Sequence, residues 1–329
     1  RCTQNPTFME EWRKGWHPER MQEKGASQNV LVVGAGPAGL EAALALAKRG
    51  YDVALAETGT ELGGRVALEC RLPGLAAWGR VRDYREYQLS QLGNVETYLN
   101  SELGPRDVLE FGFENVAIAT GSTWRRDGVA RQHVVPMPIE DGMEIYTPDD
   151  LMAGNVPSGE VVLYDDDHYY MGGVLAELLV QAGATVTLVT PCAYVSDWTN
   201  NTLEQASIHK KLVELGVTIQ LNRGLQSVTG DHVVTDCIYT GQTETLPATS
   251  VVLVTSRTTN DGLWRDLQVR QADWADAGIA SVKVIGDAQA PGPIAWATYA
   301  GHRYAREMDM PDIGDALPFR REIAALSPD

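Results

Sequence analysis

The sequence has 329 residues, of which 44% are hydrophobic and 22% are charged, a length and balance that predict a globular protein with two domains. Its formal net charge of -17 argues against nucleic acid or an anionic membrane surface as a partner. No apolar run reaches the ~20 residues that a membrane-spanning helix needs, so we expect no membrane segment.

The first 27 residues show no clean periodicity and are predicted to be a connector lying across a domain surface. The chain begins with Arg1 rather than Met, which favours a partial or processed protein. Single, scattered cysteines predict free thiols in a cytoplasmic setting rather than a disulfide framework, and all but the first are expected to be buried. The cysteines are Cys2, Cys70, Cys192 and Cys237.

The segment from Asn29 to Glu57 carries the strongest signal. An apolar strand is followed by G-x-G-x-x-G, an Ala- and Leu-rich helix and a second strand that ends on Glu57. This is the dinucleotide-binding fingerprint in its full context. Gly34 permits the tight turn, Gly36 lets the backbone approach a pyrophosphate, and Gly39 lets the helix pack on the strand. Glu57 is placed to accept a hydrogen bond from a ribose hydroxyl.

Two further glycine turns are predicted beside the same nucleotide. The first is the LGGRV run at 62–66, and the second follows the apolar strand at 115–119, which ends in Thr120-Gly121. Between them we predict a helix from Trp78 to Leu92. Residues 122–143 have no regular pattern and are interpreted as a linker.

A second strand-helix-strand unit begins near Glu160 and repeats the first, but Asp165-Asp166-Asp167 replaces its glycines. An aspartate about 4 Å from a phosphate repels it by roughly 4 kcal/mol at an effective dielectric constant of about 20. The favourable interaction of a phosphate with a helix N-terminus contributes only about 0.3–2 kcal/mol. Tyr169 and Tyr170 would also fill the space of a pyrophosphate. This second site is therefore predicted not to bind NAD(P)H. A metal site at the aspartates is disfavoured, because adjacent strand-end carboxylates rarely converge on one ion.

A helix is expected over 199–216, and a strand that ends in Gly286-Asp287 precedes a last helix at 294–308. This return to a strand-Gly-Asp-helix unit implies that C-terminal residues complete the first domain. The sequence thus predicts an α/β fold with two Rossmann-like three-layer nucleotide-binding domains in an FAD/NAD(P)-binding, glutathione-reductase-like layout, the second inserted in the first. The predicted boundaries are 1–27 for the connector, 28–134 plus 278–329 for the first domain and 135–277 for the second.

Seven motifs together resemble the C-terminal portion of the iron–sulfur flavoprotein amine dehydrogenases, the family of trimethylamine, dimethylamine and histamine dehydrogenases. They span nearly the whole chain: RCTQN, GWHPE, VLVVGAGPAGLEAA, LPGLAAWGRVRDYRE, YDDDHYYMGG, WTNNT and IGDAQAPGPIA. The resemblance implies a missing N-terminal (β/α)8 barrel that carries FMN and the amine site, to which residues 1–27 are the linker. It also implies a [4Fe–4S] cluster with Cys2 as the fourth ligand, provided that upstream cysteines supply the other three.

The same resemblance implies that this part binds ADP and that none of its residues is catalytic. The implied contacts are Gly34, Gly36, Pro37, Ala38, Gly39, Glu57, Gly64, Arg65 and Gly121, and Asp287 matches a position that faces a flavin ribityl chain in related reductases. The intact enzyme would oxidatively cleave a C–N bond, pass electrons to an external carrier such as electron-transferring flavoprotein, and form a homodimer.

Two alternatives stay open at this point. One is a stand-alone FAD-dependent NAD(P)H oxidoreductase, favoured by the layout and by Asp287, with FAD in place of ADP. The other is a non-catalytic nucleotide-binding subunit that a separate barrel chain completes.

Overall fold

A computed structural model describes residues 2–10, 16 and 21–310 of the chain. They form two compact units. The first unit contains the described residues up to Gly64, then Arg80–Gly121 and the residues from Asn260 onward. The second contains Arg65–Gly79 and Ser122–Thr259.

The chain passes from the first unit to the second after Gly121, whereas the boundary was predicted at 134. It returns to the first unit after Thr259, whereas the boundary was predicted at 277. Some of the sequence interpretations concern positions outside the described residues: Arg1, most of the GWHPE motif, and the part of the first domain from Pro311 onward.

The described residues form fifteen strands and nine helices. The strands are β1 Asn29–Val33, β2 Asp52–Ala56, β3 Val95–Tyr98, β4 Asn115–Ile118, β5 Ser122–Trp124, β6 Glu144–Tyr146, β7 Glu160–Asp165, β8 Thr185–Val189, β9 Thr218–Gln220, β10 Arg223–Val228, β11 His232–Cys237, β12 Thr243–Pro247, β13 Ser250–Val254, β14 Arg257–Thr259 and β15 Ser281–Val284. The helices are α1 Pro37–Arg49, α2 Arg65–Glu69, α3 Arg80–Ser90, α4 Pro105–Phe111, α5 Pro148–Met152, α6 Met171–Gln181, α7 Gln205–Glu214, α8 Gly262–Val269 and α9 Ile294–Glu307.

The first unit is built on a five-stranded parallel sheet in the order β15-β4-β1-β2-β3. Residues Val30 to Val33 of β1 are all buried, as expected for a central strand whose sheet is covered on both faces. Helix α1 begins with Pro37 in its first turn and ends at Gly50, whose φ of 98° suits glycine as a left-handed C-cap.

Small residues allow α9 to pack closely on α1. A methyl group added at Gly301 would lie 2.1 Å from the carbonyl oxygen of Ala38. A methyl group at Gly286, in the turn after β15, would lie 2.5 Å from the Cβ of Ala38. The C-terminal elements β15 and α9 therefore complete the first unit at the start of its fingerprint helix.

Three helices of the first unit share a buried charge network around Glu41. Arg85, which is fully buried, donates from Nε to Glu41 Oε2 at 2.7 Å, and His302 Nδ1 lies 2.8 Å from Glu41 Oε1. Arg306 donates from Nε to His302 Nε2 at 3.1 Å, so Nδ1 of this imidazole carries the proton that is shared with Glu41. Arg85 also donates from Nη2 to the carbonyl oxygen of Thr3 at 3.3 Å.

The second unit contains a five-stranded parallel sheet in the order β6-β13-β7-β8-β9. An antiparallel sheet of β10-β11-β12 and the antiparallel pair of β14 with β5 complete it. The strand-helix-strand unit of β7, α6 and β8 repeats that of β1, α1 and β2. The predicted α/β fold with two nucleotide-binding-type units is confirmed.

The helix predicted over 199–216 is wrong in its first third. A 3-10 turn at Asp197–Thr202 ends at Leu203, whose φ is 64°, and α7 begins after it. The cause is local, because Asn200 Nδ2 donates to the Asp197 carbonyl oxygen at 2.8 Å and Thr202 Oγ1 to that of Thr199 at 3.1 Å. Such side-chain bonds compete with a continuous helix. Among the described helices, none is long and apolar enough to cross a membrane.

Candidate nucleotide-binding site

The fingerprint turn in the first unit joins the end of β1 to the start of α1, and its three glycines are needed for different reasons. Gly34 has a φ of 99°, and a methyl group there would lie 2.5 Å from the carbonyl oxygen of Ala119. A methyl group at Gly39 would lie 1.8 Å from the carbonyl oxygen of Gly34. These two glycines therefore hold the turn and the helix against the sheet.

Gly36 differs from the other two because its surroundings are open. No described atom lies within 4 Å of a methyl group built there, and its φ of -69° is acceptable to any residue. Gly36 is the N-cap of α1, and among the described residues no side chain caps the helix. The exposed backbone at a helix N-terminus is a favourable position for a phosphate.

Glu57 lies beside this turn, at the end of β2. Its Oε2 accepts a hydrogen bond from the backbone N–H of Ala35 at 2.7 Å, and its Oε1 accepts one from that of Gly59 at 2.8 Å. Each carboxylate oxygen has a further lone pair, so Glu57 can still accept from a ribose hydroxyl. The two backbone bonds fix the carboxylate beside the fingerprint turn.

Two other predicted glycines lie at the same edge of the first unit. Gly64 has a φ of 52°, and a methyl group there would lie 3.0 Å from the Cα of Gly36, so the two glycine turns are in contact. Gly121 follows β4 with a φ of 77°, and no described atom lies within 4 Å of a methyl group built on it. Gly121 and Gly36 thus provide open backbone at the carboxyl end of the sheet, where ligands of such sheets bind.

Asp287 lies near the start of α1, because the adjacent Gly286 packs on Ala38. Its Oδ1 accepts a hydrogen bond from the backbone N–H of Gly292 at 3.1 Å. Arg65 belongs to the second unit, where its guanidinium donates to Asp149 Oδ1 and to the Ser122 carbonyl oxygen. The sequence could not reveal this pairing, since Asp149 is 84 residues away in the chain.

In the second unit, Asp165 is the last residue of β7 and adjoins the turn that corresponds to the glycine turn of the first unit. A methyl group at Gly172, in the first turn of α6, would lie 2.4 Å from the Asp165 carboxyl group. Asp165 Oδ1 accepts from the backbone N–H of His168 at 3.0 Å, and Oδ2 has no hydrogen-bond partner among the described residues. Burial raises the pKa of Asp165 to about 7. This carboxyl group lies at the N-terminus of α6, the position that a phosphate would need.

A contact between His168 and Cys192 was missed from the sequence. His168 follows β7, Cys192 follows β8, and His168 Nδ1 lies 3.2 Å from Cys192 Sγ. His168 Nε2 lies 3.1 Å from Asp166 Oδ1, a charge contact without the alignment of a hydrogen bond. Burial alone would lower the pKa of His168, but Asp166, Cys192 and Asp165 outweigh it and raise the pKa to about 10. Adjacent strands of a parallel sheet bring the two side chains together.

The raised pKa of His168 predicts a pH-dependent stability. Because the folded pKa of about 10 exceeds the unfolded value of about 6.5, this contribution is complete below pH 6.5 and is lost as the pH rises towards 10. Urea unfolding of the unmodified protein and of His168→Asn at pH 6 and pH 9.5 measures this contribution. We expect the unmodified protein to exceed the variant in free energy of unfolding by less at pH 9.5 than at pH 6. An equal difference at both pH values would contradict the charged imidazole.

The other cysteines also differ from the expectation. Cys70, Cys192 and Cys237 are free thiols of intermediate exposure rather than buried ones. Cys2 is likewise partly exposed, and its Sγ accepts a hydrogen bond from the backbone N–H of Asn5 at 3.4 Å. Within residues 2–10, 16 and 21–310, no group of three or more His, Cys, Asp or Glu side chains could hold a metal ion. A [4Fe–4S] cluster needs four ligands, and the described residues bring no such group together.

Comparison with known proteins agrees with this architecture. Residues 28–136 match the family described as pyridine nucleotide-disulphide oxidoreductase, and residues 146–241 match the OYE-like second alpha/beta domain. The chain is 38% identical to dimethylamine dehydrogenase of Hyphomicrobium sp. (strain x), an alignment that covers 98% of this chain and 47% of that protein.

Solved structures extend the comparison. The structure of histamine dehydrogenase from Rhizobium sp. 4-9 is similar at 67% identity and a TM-score of 0.97, covering 100% of this chain and 51% of that one. 6-Hydroxypseudooxynicotine amine oxidase from Pseudomonas geniculata N1 is similar at 42% identity and a TM-score of 0.89, covering 94% of this chain and 46% of that one. The chain spans about half the length of the relatives that it matches.

Proposed function

Because this chain belongs to the amine dehydrogenase family, we propose that it forms the nucleotide-binding part of an enzyme that oxidatively cleaves a C–N bond. The amine site and FMN would belong to the part of the enzyme that precedes this chain. When bound in the intact enzyme, FMN and a [4Fe–4S] cluster supply two-electron oxidation of the amine and single-electron transfer to an external acceptor. Cys2 would be one cluster ligand.

ADP binding in the first unit is proposed from one observation, the open backbone at Gly36 and Gly121 beside the uncapped start of α1. A pyrophosphate fits there because backbone N–H groups at a helix N-terminus favour negative charge and glycine permits close approach. Glu57 would accept from the ribose, with Gly64 and Ala38 lining the turns. Arg65 is left out of this set, because its guanidinium is bonded to Asp149.

The second unit is proposed to bind no pyridine nucleotide. The Asp165 carboxyl group at the start of α6 holds the position of a pyrophosphate, and Asp166 is buried beside it. Electrons would then leave the enzyme to a protein carrier, such as electron-transferring flavoprotein, rather than to NAD(P). The homodimer and the cytoplasmic location inferred from the sequence stay predictions.

The identity of the bound nucleotide tests the proposal. Acid denaturation of the purified full-length enzyme, followed by chromatography of the supernatant, is expected to release one ADP per chain in addition to any other cofactor. Release of FAD in that amount would contradict ADP binding in the first unit. Rapid reduction of the enzyme by NADH would contradict the inactive second site.

A second candidate is an FAD-dependent NAD(P)H oxidoreductase. The observation that favours it is Asp287, which packing of Gly286 on Ala38 holds beside the start of α1, where a flavin chain would pass. The same denaturation experiment separates the two candidates. FAD release together with bleaching by NADH would favour the reductase, and a barrel polypeptide that co-purifies as a separate chain would indicate a subunit instead.

A further inference from the structure

The Cys192 thiol and the His168 imidazole form a paired arrangement to which the proposed nucleotide-binding function assigns no role. Their 3.2 Å Sγ–Nδ1 contact is within the range that joins a nucleophile to its base. Asp166, 3.1 Å from the other ring nitrogen, holds a negative charge against the imidazole, as the third member of such an arrangement does. All three residues lie in the second unit.

The backbone at His168 supports a specific role for this side chain. His168 has a φ of 66°, a left-handed conformation that is uncommon for residues other than glycine, although histidine, asparagine and aspartate adopt it more often than the rest. The bond from its N–H to Asp165 Oδ1 and the bond from the Trp198 N–H to its carbonyl oxygen hold it there. This strained turn directs the imidazole towards Cys192. Strained positions of this kind concentrate at functional sites.

We propose that Cys192 is a redox-reactive thiolate, activated by His168, whose substrate is a small neutral hydroperoxide. Two features select that class. Cys192 is only partly exposed, which disfavours bulky reagents, and the Asp166 carboxylate beside the imidazole disfavours anions. A small uncharged electrophile satisfies both conditions.

The proposed reaction needs only Cys192, His168 and the peroxide to account for its atoms, electrons and proton. The thiolate sulfur attacks one peroxide oxygen, an S–O bond forms and the O–O bond breaks. The leaving group, which is hydroxide from hydrogen peroxide or alkoxide from an organic hydroperoxide, takes the proton of the His168 imidazolium and departs as water or as an alcohol. Cys192 is oxidised by two electrons to a sulfenic acid, the peroxide is reduced, and His168 is left neutral.

Chemical trapping of the sulfenic acid in the full-length enzyme tests the proposed oxidation of Cys192. The protein is treated with a small excess of hydrogen peroxide in the presence of dimedone, and adducts at each cysteine are followed over time by peptide mass spectrometry. We expect the adduct at Cys192 to form at least about tenfold faster than at Cys70 or Cys237. Cys237 is the demanding comparison, because its contact with Thr240 lowers the pKa of that thiol and no histidine of the described residues contributes to that shift.

His168→Asn is the informative variant, since asparagine tolerates a positive φ but cannot carry the proton. We expect it to slow labelling of Cys192 about tenfold while labelling of Cys237 is unchanged, which also reports that the unit is folded. His232→Asn is the matched control, because His232 contacts the exposed Asp231, and should change nothing. Should His168→Asn not fold, Asp166→Asn takes its place, with a smaller decrease expected at Cys192. Equal rates at the three cysteines, or no change in the variant, would overturn the proposal.

Discussion

Replacement of Arg85 by methionine is expected to lower the free energy of unfolding by about 3–5 kcal/mol. Arg85 is fully buried, and its Nε is bonded to Glu41 Oε2 at 2.7 Å. Removing the guanidinium leaves the buried Glu41 carboxylate with the His302 imidazole as its one remaining hydrogen-bond partner among the described residues, so the desolvation of that charge is no longer offset. Urea unfolding of the full-length protein at neutral pH measures the change.

Arg82→Met is the matched control on the same helix. Arg82 pairs with Asp83 and Glu61 at the partly exposed surface of α3, and such pairs contribute about 0–1 kcal/mol. Adding Glu41→Gln to Arg85→Met should recover part of the loss, because the orphaned charge is then removed. A loss below about 1 kcal/mol in Arg85→Met would show that the network adds little to stability.

Gly39→Ala is expected to abolish stoichiometric nucleotide binding and to destabilise the protein by about 3 kcal/mol or more, at the upper end of overpacking effects. The new methyl group would lie 1.8 Å from the carbonyl oxygen of Gly34, and backbone cannot rotate away as a side chain can. Helix α1 must then move off the sheet, and its N-terminus leaves the phosphate position. Released nucleotide per chain and the urea midpoint report the two effects.

Gly36→Ala separates binding from folding. The structure offers open space to its methyl group and needs no unusual backbone angle, so the unfolding midpoint should change little. The same methyl group would meet the pyrophosphate, and we expect binding to weaken about 10- to 100-fold, or about 1.4–2.8 kcal/mol. Full retention of ADP in Gly36→Ala would contradict the proposed approach of the nucleotide.

The fingerprint could be predicted from the sequence because its geometry is local. The three glycines Gly34, Gly36 and Gly39 lie within six residues of one another, and each meets a requirement of the same turn. The contact of Gly301 with Ala38 could not be predicted, because the sequence of a helix does not identify the helix against which it packs. The aspartates at the end of β7 are visible in the sequence as a departure from glycine, but only the structure shows that the Asp165 carboxyl group lies against Gly172.

The pairing of His168 with Cys192 could not be predicted either, because it too depends on how distant parts of the chain pack together. The two residues are 24 positions apart and follow different strands, and an isolated cysteine predicts only a free thiol. One signal was available, since both follow strands predicted to be adjacent in a parallel sheet, whose carboxyl ends share an edge. That adjacency indicates which residues can meet, but not that the strained turn directs the imidazole to the sulfur.

The completion of the first sheet by β15 and α9 has a consequence for biosynthesis. A ribosome makes every residue of the second unit before it reaches Asn260, whereas the first unit still lacks an edge strand and the helix that covers Ala38. Chains of this size usually fold their N-terminal domain first as it emerges. Here the second unit can fold before the first is complete, and the apolar face of α1 stays open to chaperones until α9 has been synthesised.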